Sequence, residues 1–284
     1  MVKSKRLTWV KRYSALRKSY KEGAIGRSLL NMTTEFPVYT PSGAGDYQTR
    51  ASLTKLAINQ SVENLRDLAV AFGKASTREV DAEQFATSPD ALQIADEIKG
   101  RLDHYGSDKG QLNSYHLIYG RIFADLAEIR SLLEIGLGTN NTDVFSHMGK
   151  RGNPGASLRA FRDHFPNAMI YGADVDKRIL FEEERIKTFF VDQTDPDTLS
   201  SVGNEIPGSL DLMIDDGLHA VNANLASLHF GLQKIRVGGW VVIEDITYES
   251  KPIWEVVSRI LTESYEVHLI RTPRAYVFAV KRLA

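Results

Sequence analysis

The chain has 284 residues, of which 43% are hydrophobic and 25% charged, and its formal net charge is −1. That is enough apolar material for a sizeable core in one large or two modest domains, and the near-neutral balance gives no whole-protein bias toward nucleic acid or membrane. The absence of cysteine excludes disulfides, thiolate metal sites and cysteine nucleophiles, and no apolar run approaches the roughly 20 residues of a membrane span.

Residues 1–36 read as helical and basic. The first thirty carry nine Lys or Arg against one acid, Glu22, with Trp9, Tyr13, Leu16 and Tyr20 at helical spacing. We read this as a packing or oligomer-contact helix whose cations stay solvated; a basic amphipathic helix of this kind could also lie weakly on an anionic membrane surface. The apolar stretch of a signal peptide is missing, which with the lack of cysteine leads us to expect a cytoplasmic protein. Residues 37–49 (PVYTPSGAGDYQT) read as a loop. Helical patterns follow at Leu53, Leu56, Ala57, Val62, Leu65, Leu68 and Ala69, then at Ala91, Leu92, Ile94, Ala95 and Ile98. A helical N-terminal region is therefore expected over 1–103, and a second domain over 104–284.

After residue 130 the pattern changes. Short apolar runs at 131–136, 169–175, 188–192, 210–215 and 239–245 alternate with helical stretches near 157–165, 195–203, 221–235 and 250–263. Such alternation argues for a parallel sheet with helices on both faces. The tail breaks the rhythm: Tyr265–Ile270 and Ala275–Val280, joined by RTPR, leave no room for a helix and should pair as an antiparallel hairpin. The expected architecture is α/β and Rossmann-like, with a mostly parallel seven-stranded sheet ending in a hairpin. That finish is typical of class I methyltransferases and unusual in a plain dinucleotide-binding domain.

LLEIGLG (132–138) ends the first of these strands, where Gly136 and Gly138 allow a tight turn and close approach of a ligand. A dinucleotide fingerprint wants Gly or Ala at 141, but the residue is Asn141. Glu134, two residues before Gly136, suits the cationic end of S-adenosylmethionine (SAM) and would repel a pyrophosphate. Asp174 ends the next strand, where an acid accepts hydrogen bonds from ribose hydroxyls, with Asp176 as its substitute. Asp192 and Gln193, in VDQTD, are candidates for the adenine amino group, although helix capping by Thr194 or Asp195 explains part of that segment.

MIDDGLHA (213–220) and GGWVVIEDI (238–246) both put acids at the C-terminal ends of apolar strands, the edge where open α/β sheets bind ligands. Asp216, Glu244 and Asp245 would converge into an all-oxygen site suited to a hard cation such as Mg2+. His219, three residues beyond Asp216, is the candidate general base. Taken singly, Asp215 and Asp216 also serve as helix caps and His219 as an ordinary turn histidine.

YGSDKG, LLEIGLG, ADVD, VDQTD, DDGLH and VIEDI, in this order over residues 102–281, resemble the Mg2+- and SAM-dependent sugar O-methyltransferases of natural-product and polysaccharide pathways. The most specific part is DDG-x-H followed 28 residues later by Glu-Asp. The resemblance implies that Asp216, Glu244 and Asp245 bind Mg2+, and that His219 removes a proton from a sugar hydroxyl on a small molecule or glycan. It implies further that Glu134, Gly136, Asp174, Asp192 and Asp215 or Asp216 line the SAM pocket, and that the chain forms a homo-oligomer. YGSDKG would close over the site, with Tyr105, Ser107 and Lys109 as candidates. Leu218 departs from the serine usual in DDGSH, and the long loop 139–156 leaves the acceptor open. Competing readings are an NAD-dependent oxidoreductase, a non-catalytic assembly or membrane-surface module using the basic N-terminus, and, within the methyltransferases, a catechol-type O-methyltransferase.

Overall fold

The structure is a computed structural model. It describes residues 77–284 apart from 111, 112, 127 and 262, together with helical positions 52, 53, 55–57, 60, 61, 64, 65, 68 and 71. The basic segment with Trp9, Tyr13, Leu16 and Tyr20, its oligomer and membrane readings, the loop 37–49, and Val62 and Ala69 lie outside the described residues.

The strands are β1 (Thr77–Asp81), β2 (Ser131–Ile135), β3 (Met169–Asp174), β4 (Glu182–Glu183), β5 (Ile186–Phe190), β6 (Leu210–Asp215), β7 (Ile235–Ile246), β8 (Tyr265–Arg271) and β9 (Tyr276–Arg282). They form one sheet in the order β1-β8-β9-β7-β6-β2-β3-β5-β4. The pairs β2–β3, β2–β6, β3–β5 and β6–β7 are parallel, and β9 runs antiparallel to both β7 and β8. The expected parallel sheet with a terminal hairpin is present, but the strands among the described residues number nine rather than seven. The extra two are the short β4, antiparallel to β5, and β1, which adds parallel to β8 at the far edge. β1 (TREVD) falls within the stretch read as helical; it carries too few apolar residues to announce itself.

Both faces of the sheet are covered, so successive residues of each central strand enter opposite cores. Leu133, Ile135, Met213, Val241 and Ile243 pack with Leu225, Leu228, Trp254 and Val257 on one face. Leu132, Leu212, Ile214 and Val242 pack with Ile98, Leu102, Ile118, Ile122 and Phe161 on the other. The first face belongs to helices α4 (Pro196–Glu205), α5 (Val221–Lys234) and α6 (Lys251–Ile260), the second to α1 (Pro89–Tyr105), α2 (Tyr115–Leu126) and α3 (Ala156–His164). All six residues of β6 are buried, and LDLMID accordingly reads as an apolar run, broken only by the paired Asp211 and closed by acid.

Local signals set where α1 stops. Ser88 Oγ accepts from Ala91 N–H at 3.2 Å, Pro89 opens the first turn, and Gly106 ends the helix at φ 76°. This cap turns residues 107–110 back across the carboxyl edge of the sheet. No helix among the described residues is long and apolar enough to cross a membrane.

Candidate active site

A cavity of about 580 Å3 opens at the carboxyl ends of β2, β3, β6 and β7, within the roughly 300–1,000 Å3 range of small-molecule sites. Gly136 and Gly138 form its floor and have left-handed backbones, with φ 95° and 77°. A Cβ on Gly136 would lie 2.0 Å from the Asp216 carbonyl oxygen, and one on Gly138 2.2 Å from Met148 Sδ. The turn is fixed on both sides: Gly136 N–H donates to Ala173 O at 2.8 Å, and Asp216 N–H to Ile135 O at 2.8 Å. Beyond Gly138 the chain does not enter a helix; α3 begins only at Ala156. The helix N-terminus that holds a pyrophosphate in dinucleotide folds is therefore absent at position 141.

Asp174 lies on the cavity wall and accepts from Leu137 N–H and Asp176 N–H, both at 2.8 Å. Burial raises its carboxyl above the usual range, against those two bonds. Asp176 ties the loop together, accepting from Thr139 Oγ1 at 2.6 Å, Asn141 Nδ2 at 2.7 Å and Arg178 Nε at 2.7 Å. The Arg178 bond, followed by those of Thr139 and Asn141, holds its carboxyl well below the usual range despite desolvation. Asp192 lines the cavity and closes a turn by accepting from Thr194 N–H and Oγ1. Gln193 also borders the cavity, but its amide is committed inward: Nε2 donates to Asp215 and Ser227, and Oε1 accepts from Leu218 N–H. Asp215 is fully buried, accepts from Gln193, Gly217 N–H and Asn224, and does not line the cavity. Glu134 is likewise buried and outside the lining; it accepts from Ser157 Oγ at 2.5 Å and lies 3.2 Å from Lys109.

The acids at the ends of β6 and β7 part company. The pairing of β7 with β9 steps from Ile243↔Phe278 to Ile246↔Tyr276, three residues against two, so a bulge falls at Glu244–Asp245. Bulges re-aim side chains, and Asp245 sits in it at φ 53°. Asp245 consequently faces the cavity, where Tyr115 Oη donates to it at 2.5 Å. Glu244 turns into the protein, 1% exposed, and accepts from Lys109 and Tyr119. Asp216 presents Oδ2 to Lys109 Nζ at 2.5 Å and Oδ1 to His219 Nε2 at 3.9 Å. His219 Nε2 is also 3.8 Å from Asp245 Oδ2. Asp216, His219 and Asp245 each offer a ligand atom within 4.8 Å of the others. His219 has φ 56°, and its buried Nδ1 has no hydrogen-bond partner. Left-handed backbone at two non-glycine residues of one site costs of order 1–3 kcal/mol each and is commonest where function holds it.

Burial pushes the Asp216 carboxyl up to about 6; Lys109 opposes the shift and Asp245 adds to it. Burial also drives Glu244 well above the usual range. For Lys109, burial works to lower the ammonium, but Asp216, Glu244 and Glu134 outweigh it and raise it well above the ordinary lysine value.

Of the YGSDKG residues, Asp108 and Lys109 line the cavity, whereas Tyr105 is bound at 2.5 Å to Asp163, and Ser107 borders only a small side pocket. The loop 139–156 supplies Val144, Phe145, Ser146, His147 and Met148 to the cavity. Ser146 Oγ donates to Leu218 O at 3.0 Å, and Leu218 packs with Leu53 beside Ala57, Ala220 and Ala223. Reading the sequence missed Tyr115, Tyr119 and Arg178; the first two recur at helical i,i+4 spacing, the one signal that they share a face.

The sheet order, the glycine turn and the acidic edge define a class I methyltransferase fold. MycE, a methyltransferase of the mycinamycin biosynthetic pathway solved with Mg and SAH, superposes with a TM-score of 0.50 and 23% identity, covering 70% of this chain and 56% of that one. Its complex with Mg, SAH and mycinamycin VI gives 0.51 and 22%, over 70% and 54%. The sequence is similar to several O-methyltransferases. It is 29% identical over 160 residues to 8-demethyl-8-alpha-L-rhamnosyl tetracenomycin-C 2'-O-methyltransferase of Streptomyces olivaceus (56% of this chain, 40% of that protein). It is 34% identical over 139 residues to demethylmacrocin O-methyltransferase of Streptomyces fradiae (48% and 33%). It is 34% identical over 131 residues to mycinamicin VI 2''-O-methyltransferase of Micromonospora griseorubida (45% and 30%). The matches thus span well under half of each relative's length. No protein-family model matches the chain.

Proposed function

We propose that this chain is a SAM-dependent O-methyltransferase that, with Mg2+, methylates a hydroxyl of a sugar or glycosylated acceptor. The observation that carries the reading is the meeting of Asp216, His219 and Asp245, within 4.8 Å of one another, in the cavity whose floor is the Gly136–Gly138 turn. The similarity to an O-methyltransferase named for a rhamnosyl-bearing acceptor supports the acceptor class.

The residues fit both groups. The two glycines let the turn under the cavity close against Asp216 and Met148, where a Cβ would collide, and Asp174 offers lone pairs beyond its two backbone bonds to ribose hydroxyls. Asp192 stands on the same wall for the nucleoside. Asp216 and Asp245 are hard oxygen donors suited to Mg2+, with Glu244 the adjoining third carboxylate. Mg2+ supplies Lewis acidity that lowers the pKa of a hydroxyl held beside it. SAM supplies an electrophilic methyl group on a sulfonium. His219 Nε2 would take the proton of the acceptor hydroxyl whose oxygen receives the methyl group, with S-adenosylhomocysteine as the leaving group. Asp216 and Asp245 flank the imidazole Nε2 at 3.9 and 3.8 Å, and Tyr115 fixes Asp245. The loop residues 144–148 line the cavity beside the acidic edge. Gln193 and Asp215 act through position, locking the β6–α5 turn that carries His219.

We place this activity in the cytoplasm. We assign residues 1–103 to oligomer contact or capping, with β1 and α1 joining that region to the sheet. Transfer of labelled methyl from SAM to a panel of glycosides, with Mg2+ or EDTA, tests the reading. Mg2+-dependent transfer to a sugar hydroxyl supports it; full activity in EDTA refutes the metal role.

A further inference from the structure

Lys109 is an unusual neighbour for a cation site. Its side chain is 4% exposed, and its ammonium contacts three carboxylates carried by three strands: Glu134 of β2, Asp216 just past β6 and Glu244 of β7. Two of these, Asp216 and Glu244, belong to the set assigned to Mg2+. A buried lysine is tolerated only when paired, and such pairing fixes the geometry of its partners. Here the division is visible in Asp216, which gives Oδ2 to Lys109 and keeps Oδ1 for His219 and the cavity. The Gly106 cap of α1 delivers Lys109 to this position, and Tyr119 holds Glu244 from the other side.

We infer that Lys109 is an internal counter-cation that competes with the divalent ion for Asp216 and Glu244, and so sets how tightly that ion binds. The inference rests on the Mg2+ reading above. Lys109 is a positioning residue in this inference: it acts through the carboxylates it is bonded to.

The test is calorimetric titration of Mg2+ into the 284-residue chain and into its Lys109→Met variant, which keeps the length of the side chain and removes the charge. Removing a positive charge bonded to the ligand carboxylates is expected to tighten Mg2+ binding by about tenfold or more. Thermal unfolding should show the metal-free variant destabilised, with most of the loss recovered on Mg2+ saturation. A lysine that merely packs would lower both forms equally and leave the affinity unchanged, and that result overturns the inference. Should Lys109→Met not fold, the Lys109 ammonium resonance of wild-type protein labelled with 15N-lysine provides the readout. Competition requires it to shift or lose protection as Mg2+ saturates; an unmoved signal overturns the inference. Wild-type protein that binds no Mg2+ instead removes the metal reading on which the inference stands.

Discussion

The ammonium of Lys109 lies 2.5 Å from one oxygen of Asp216, while the other oxygen of that carboxylate faces His219. One side chain thus couples the buried interior to the open site, and its protonation governs both. The Asp216 carboxyl stands at about 6 against an ordinary value of 3.8. An acid raised on folding favours the folded state at low pH. That contribution is complete below about pH 4 and is lost as pH rises through 6. Mg2+ needs the carboxylate form, so its affinity should run the opposite way, about tenfold weaker at pH 5 than at pH 7. Calorimetric Mg2+ titrations at the two pH values check this; equal affinities would contradict it.

His219→Ala should lower kcat by roughly 10²–10⁴-fold, the usual weight of a general base, while SAM affinity stays within about twofold. The left-handed backbone at His219 adds a second expectation. His219→Gly should be as inactive as His219→Ala yet more stable than it, because glycine adopts φ 56° without strain. Thermal unfolding of the two variants decides the point.

Gly136→Ala should abolish SAM binding and cost about 1–3 kcal/mol of stability, since the added methyl collides with the Asp216 backbone. Asp174→Asn should weaken SAM binding by tenfold or more, because an amide cannot accept from both Leu137 and Asp176 and still serve a ribose. Calorimetry of SAM binding measures both effects.

The cavity's described lining holds seven aspartates, with Lys109 and Arg178 as its Lys and Arg residues. Both cations are already paired, Lys109 with Asp216 and Glu244, and Arg178 with Asp143 and Asp176. A diphosphate would find repulsion there. Neutral glycosides should therefore exceed nucleoside diphosphate sugars at least tenfold in kcat/KM. Competition assays with matched sugars test this.

Much of the framework was legible because buried parallel strands need apolar runs on both faces, and SLLEI, LDLMID and GWVVIED supply them. The glycine turn and the acids at the ends of β6 and β7 followed from the same strands. β1 escaped because an edge strand needs little apolar surface, and TREVD offers only Val80. The parting of Glu244 from Asp245 was hidden as well: a bulge is a matter of pairing with β9, and nothing in VIEDI marks it. Lys109 was legible as a residue of interest but not in its place. Its partners Asp216 and Glu244 are 107 and 135 residues away, and only the tertiary fold unites them.

The account stands on a cation and a nucleoside sharing one sheet edge. Diffraction from crystals grown with Mn2+ and S-adenosylhomocysteine, recorded at the manganese edge, tests this most directly. We predict an anomalous peak between the carboxylates of Asp216 and Asp245, with the ribose on Asp174 and the amino-acid end over Gly136. A peak elsewhere, or an adenosyl group bound away from that turn, would contradict it.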